Sequence, residues 1–155
     1  MPGYKGHLAG GFVTFIALLF VMKQYHNPSM ISMLEWLSCT LAGSLFPDID
    51  VKSKGQKWLY WLLFALFLCL FVRQCYCLLS LLGIIALVPM LVNHRGLFHK
   101  PWFMIALPAS IALAVYCSAP RYFPLVARNA LFFCGGALSH LWLDLGLRRM
   151  LRLRW

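Results

Sequence analysis

Long apolar runs separated by short polar stretches organise this chain. The runs cover residues 8–22, 30–46, 58–72, 78–92, 102–117 and 125–147. Several fall short of the ~20 residues of an ideal membrane crossing. They read as spans all the same, because their flanks are amphipathic and Lys or Arg at the ends can snorkel to the interface. Residues 118–124, with Pro120, Pro124, Tyr122 and Phe123, predict a turn at the membrane interface. The first run has only Lys5 before it, and no small-x-small cleavage site follows it cleanly, so it reads as a retained helix. No low-complexity linker and no internal repeat stands out. The expected fold is therefore all-α: one membrane-embedded domain over residues 1–155, a polytopic transmembrane helical bundle of about six short spans with both termini on the same side.

Composition supports the bilayer as the main solvent. Of the 155 residues, 62% are hydrophobic and only 12% charged, against about 25% charged in a typical soluble domain. The mean hydropathy is +0.77. The net charge of +10 would suggest nucleic acid in a soluble protein. Here the basic residues fall between apolar runs, where they flank helices and set orientation. Six cysteines show no zinc-ribbon spacing. Most lie inside apolar runs, where a free cysteine behaves as a small hydrophobe. A bond from Cys75 or Cys77 to Cys117 would need an oxidising side.

With six spans, one side of the membrane holds Lys5, Lys52, Lys54, Lys57, Arg95, Lys100, Arg148, Arg149, Arg152 and Arg154. The other holds Lys23, Arg73, Arg121 and Arg128. This excess predicts that the first side, with both termini, faces the cytoplasm.

The rare ionisable residues sharpen the picture. The chain has 5 His and 4 Asp+Glu, and all but His26 and Glu35 fall on the cytoplasmic side. Ionisable groups at this depth are costly and rarely idle. Asp48 and Asp50 follow Pro47, which ends the second run. They offer two oxygen ligands, or a ligand and a general base; a capped interhelical loop would use the same residues. After the fourth run comes Asn93-His94-Arg95-Gly96-Leu97-Phe98-His99-Lys100. His94 and His99 supply imidazoles, and Arg95 and Lys100 can hold an anion such as phosphate. A basic loop on lipid headgroups is the plainer reading. His140 and Asp144, four apart on the last helix, share one face. Both can reach a common ion, Asp144 can orient His140, or the two can form a buried structural pair. His7, before the first span, can join the set. Mixed imidazole and carboxylate ligands suit Zn, Mn or Fe. Seven candidates exceed one tetrahedral zinc, so two ions are an expectation.

Pro-Asp-Ile-Asp at 47–50, His-Arg-Gly-x-x-His at 94–99 and His-x-x-x-Asp at 140–144 appear in an order that resembles the inner-membrane-bound, YdjM-type metal-dependent hydrolases of bacteria. The resemblance runs from His7 to Asp144. It implies a bacterial inner (plasma) membrane protein, distantly similar to zinc-dependent phospholipases C. It also implies His7, Asp48, Asp50, His94, His99, His140 and Asp144 as metal-site residues, with Arg95 matching the family arginine. Phe98 and Lys100 stand where many members have Thr and Ser, which bears on substrate rather than on the ligands.

The function expected is a metal-dependent phosphoesterase using Zn or Mn. Its substrate would be a lipid-linked phosphate or phospholipid at the cytoplasmic leaflet. Arg95 and Lys100 would neutralise phosphate, and Asp48 or Asp50 would take the water proton. A divalent-metal transporter or channel is the alternative, although a transport site belongs nearer the midplane. A nucleic-acid hydrolase using the Arg148–Arg154 tail is a third reading. That tail better suits anchoring the last helix to anionic headgroups.

Overall fold

The computed structural model describes residues 3–48, 54–72, 74, 83 and 97–146. Every regular element among them is helical: α1 (Tyr4–Lys23), α2 (Met30–Leu45), α3 (Lys54–Val72), α4 (Pro101–Ser118) and α5 (Phe123–Leu145). Short 3-10 turns occupy Phe46–Asp48, Leu97–His99 and Pro120–Tyr122. Five of the six predicted runs thus form helices. The run at 78–92 lies outside the described residues, apart from Gly83. Among the described residues, two helices, α1 and α4, are long and apolar enough to cross a membrane.

The boundaries follow local chemistry. Ser29 caps α2, its hydroxyl accepting from the Ser32 amide at 3.2 Å. Pro101 opens α4 at a position where its missing N–H costs nothing. A turn forms around Pro120 as expected, and Pro124 lies in the first turn of α5. The sequence reading carried the last helix to residue 147, but α5 ends at Leu145. Gly146 follows with φ of +70°, a conformation that glycine adopts without strain. Cys117 is a free thiol; Cys75 and Cys77 lie outside the described residues.

α2 and α5 form the centre and run parallel in a fixed register. The Trp36 ring stacks on Phe132 with centroids 4.8 Å apart. One turn on, Gly136 abuts the Thr40 backbone. One turn further, His140 bonds the Ser44 carbonyl, a pair separated by 96 residues in sequence. The other two pairs share that offset. Such close approach needs small residues. A Cβ on Gly43 would overlap the Phe133 carbonyl, and one on Gly136 the Thr40 carbonyl. Small residues of this kind let helix backbones meet in lipid, where apolar side chains gain little by leaving their solvent.

α1 and α4 flank this pair. α1 runs antiparallel to α5, with Phe15 against Phe132 and His7 against His140. It buries His7, Gly11 and Phe15, whereas α4 buries Met104, Pro108 and Ala112 at the same four-residue spacing. Each helix then leads into a member of the central pair. The two hairpins are not equivalent: α1 packs on both α2 and α5, whereas α4 packs chiefly on α5. Pro108 deprives the Met104 carbonyl of its helical partner. The Cys134 thiol of α5 donates to that carbonyl instead, at 3.6 Å.

Candidate metal centre

Four elements deliver five polar side chains to one end of the bundle. His7 lies in the first turn of α1, and Asp48 ends the turn that follows α2. His99 ends the turn before α4, while His140 and Asp144 occupy the last two turns of α5. Aromatic packing sets the two turns. Phe98, 1% exposed, meets the edges of Phe46 and Phe103 at centroid distances of 5.5 Å each. Phe46 also packs on Phe133 of α5. Phe98 is therefore a core anchor that holds His99 beside Asp48.

His140 is the hub. It is fully buried, and its Nδ1 lies 2.7 Å from the Ser44 carbonyl oxygen. A carbonyl only accepts, so Nδ1 carries the proton and donates. The opposite nitrogen, Nε2, faces two carboxylates: Asp48 Oδ1 at 3.5 Å and Asp144 Oδ2 at 3.5 Å. It has no hydrogen-bond partner although it is buried. An imidazolium–carboxylate hydrogen bond would close to ~2.7–2.9 Å. Ligands held ~2.0–2.2 Å from one tetrahedral zinc stand about 3.3–3.6 Å apart. The observed spacing is that of co-ligands rather than of hydrogen-bonded partners.

The remaining distances are longer than this spacing. His99 Nε2 is 3.8 Å from Asp48 Oδ1. Candidate ligand atoms of Asp48, His99, His140 and Asp144 all lie within 4.8 Å of one another. These four residues can hold one divalent cation, and two imidazoles with two carboxylates suit Zn, Mn or Fe. His7 stands beside them. Its ring stacks on His140 at 3.8 Å between centroids, and its Nε2 is 3.5 Å from Asp144 Oδ1. Two stacked imidazoles this close disfavour a positive charge on both. Burial alone would raise the Asp48 carboxyl above its usual range. The neighbouring His140 ring, and the charges that His140, His7 and His99 carry when protonated, outweigh burial and hold it below that range.

Exposure is uneven. Side-chain exposure is 27% for Asp48 and 13% for His99, against 7% for Asp144, 2% for His7 and none for His140. The cluster therefore opens along its Asp48–His99 edge and is sealed on the α1–α5 side.

Five of the seven expected metal-site residues thus converge. Asp50 and His94 lie outside the described residues, as does Arg95. Lys100 is described: it is exposed, precedes the first turn of α4 and follows His99 directly. His26 and Glu35 stay apart from the cluster, as their positions in the sequence predict. The sequence reading missed the Ser44 carbonyl as the group that orients His140. Backbone acceptors carry no residue signature; the only available cue was that Ser44 precedes Asp48 by one helical turn.

No curated protein and no solved structure matches this chain. One family model does, described as YdjM inner membrane protein, and it covers residues 1–155.

Proposed function

The chain belongs to the YdjM inner membrane protein family, and on that premise we propose that it is a membrane-bound metal-dependent hydrolase acting on phosphate esters of lipids. The carrying observation is the buried Nε2 of His140, turned by Ser44 towards two carboxylates at co-ligand spacing. A structural His–Asp pair would close to hydrogen-bond distance and would need only one carboxylate.

Asp48, His99, His140 and Asp144 would hold the ion, and His7 would buttress Asp144 or serve a second ion. A bound Zn or Mn supplies Lewis acidity and a water of lowered pKa. The protein's own groups do the rest. The open Asp48–His99 edge admits the phosphate. Lys100 beside that edge, with Arg95, four residues before His99 in the sequence, neutralises its charge. Asp48, the more exposed of the two carboxylates, or Asp50 takes the proton from water. In this reading the chain crosses the membrane about six times, with both termini and the site at the cytoplasmic face. A lipid then keeps its chains in the bilayer while its headgroup reaches the cluster.

The test is phosphate or headgroup release from phospholipid and polyprenyl phosphate by detergent-purified protein supplied with Zn²⁺ or Mn²⁺. Release that disappears in His140→Ala supports the reading. No release from any such lipid, from protein that retains its metal, would sink it. Metal uptake into liposomes containing the protein would point to a transporter instead.

A further inference from the structure

A second set of polar groups lies at the other end of the central helix pair. Arg128 and Asn129 occupy the second turn of α5, each partly buried. The Arg128 Nε and Asn129 Oδ1 atoms are buried and have no hydrogen-bond partner. One turn deeper, the Trp36 indole of α2 stacks on Phe132 with 2% of its surface exposed, and its Nε1 is also buried without a partner. Three such atoms on neighbouring turns are unusual, since leaving a buried polar group unpaired costs about 1–3 kcal/mol, more when it is charged.

The surroundings favour an anion. α2 and α5 are parallel, so both N-termini, the positive ends of their dipoles, face this end. The Ser29–Ser32 first turn of α2 is level with the first turns of α5 in the shared register. α1 runs the other way and brings Lys23, its last residue, to the same end. Sixteen residues of helix separate Arg128 from Asp144, roughly 24 Å at 1.5 Å per residue. With a hydrocarbon core ~30 Å thick, a metal cluster at one interface leaves Arg128 close to the other.

We propose that Arg128 and Asn129, backed by the Trp36 indole, bind one phosphate group of an anionic lipid at the membrane face opposite the metal cluster. The guanidinium donates to phosphate oxygens, Nε included, through its planar fork. The Asn129 Oδ1 is an acceptor and cannot bond a phosphate oxygen, so the amide must rotate by half a turn for its NH₂ to donate at that position. The site is independent of the hydrolase reading and needs no turnover to be detected.

The experiment compares the full chain in nanodiscs of phosphatidylglycerol and of phosphatidylcholine, and in detergent with inorganic phosphate. Retained lipid is read by mass spectrometry and unfolding temperature by scanning fluorimetry. Wild type should retain phosphatidylglycerol in preference and be stabilised by it. Arg128→Gln should lose about tenfold in apparent affinity, the equivalent of one charge-assisted hydrogen bond. Arg121→Gln, an exposed arginine at the same end, should behave as wild type. Arg128→Lys keeps the charge without the fork and should fall between, and Asn129→Leu should weaken binding with every charge intact. These two carry the test if Arg128→Gln does not fold, with metal content at the far cluster reporting the fold. Stabilisation by inorganic phosphate as strong as by phosphatidylglycerol would place a free phosphate, not a lipid, in the site and overturn the lipid assignment. Equal retention of both lipids, or equal losses in Arg121→Gln and Arg128→Gln, would overturn the site itself.

Discussion

The His140 imidazole donates through Nδ1 to the Ser44 carbonyl at 2.7 Å, a bond that joins the two central helices and fixes which nitrogen meets the carboxylates. One interaction thus connects helix packing to metal chemistry. Outer partners of metal-bound histidines typically contribute 10–100-fold to affinity. Here that partner is backbone, and the geometry of the α2–α5 interface places it.

Replacing the hub should therefore be more damaging than losing an outer partner. His140→Ala should lower metal affinity by more than about 100-fold. It also leaves the Ser44 carbonyl buried and unpaired, at a cost of about 1–3 kcal/mol. Elemental analysis of purified protein, beside thermal unfolding, checks both. Full metal occupancy in this variant would show that the ion is held elsewhere.

Gly136→Ala tests the same link without touching a ligand. Its Cβ would overlap the Thr40 carbonyl, so α2 and α5 must separate. Overpacking of this kind costs about 1–3 kcal/mol. The separation should stretch the His140–Ser44 bond and weaken metal binding about 10–100-fold. Gly3→Ala, where a Cβ meets nothing within 4 Å, is the control and should change neither property. A Gly136 variant that is destabilised but binds metal normally would uncouple the packing from the site.

Much of this was legible in the chain. The helices show because apolar runs are long and proline or glycine punctuates them. The cluster shows because His and Asp are scarce in such a composition, and each lies beside a helix end. What stayed hidden was register. His7 and Asp144 are at opposite ends of the sequence, and nothing in either segment says that α1 and α5 meet. The role of Phe98 was equally hidden. A phenylalanine next to His99 reads as a substrate determinant until Phe46 and Phe103 are seen against it.

Phe98→Ala should accordingly act on His99. Removing a buried phenylalanine costs about 3–5 kcal/mol, and the Leu97–His99 turn loses its anchor. Metal affinity should drop, while Phe98→Leu, which keeps most of the volume, should preserve it. Equal affinity in both variants would mean that the turn is set by other contacts.

Acid should act in two stages. Metal binding needs neutral imidazoles, so affinity should fall as acid protonates them. The metal-free protein should respond lower on the scale. The Asp48 carboxyl is held below its ordinary value in the folded state. It therefore stabilises the fold above the unfolded carboxylate pKa of ~3.9, and that contribution is lost as pH falls through the folded value. Unfolding of metal-stripped protein measured between pH 3 and pH 8 (a range of about five units around these constants) should show little change from this group above about pH 5. A steep loss near pH 6.5 without metal would implicate the histidines instead.

The two carboxylates around His140 should separate by role. Asp144 is 7% exposed and bears on both His7 and His140, so its charge is an internal part of the cluster. Asp48 is 27% exposed and lines the open edge with His99. Asp144→Asn removes a buried negative charge beside two imidazoles and should empty the site, with activity falling in step with metal content. Asp48→Asn keeps an oxygen at the edge and should retain more of the metal. It should lose turnover disproportionately if Asp48 accepts the proton from water. Rates normalised to bound metal make the comparison, and general acid–base groups typically contribute 10²–10⁴-fold. An Asp48→Asn enzyme with wild-type turnover per metal would assign the proton to another group, and Asp50 would be the next residue to replace.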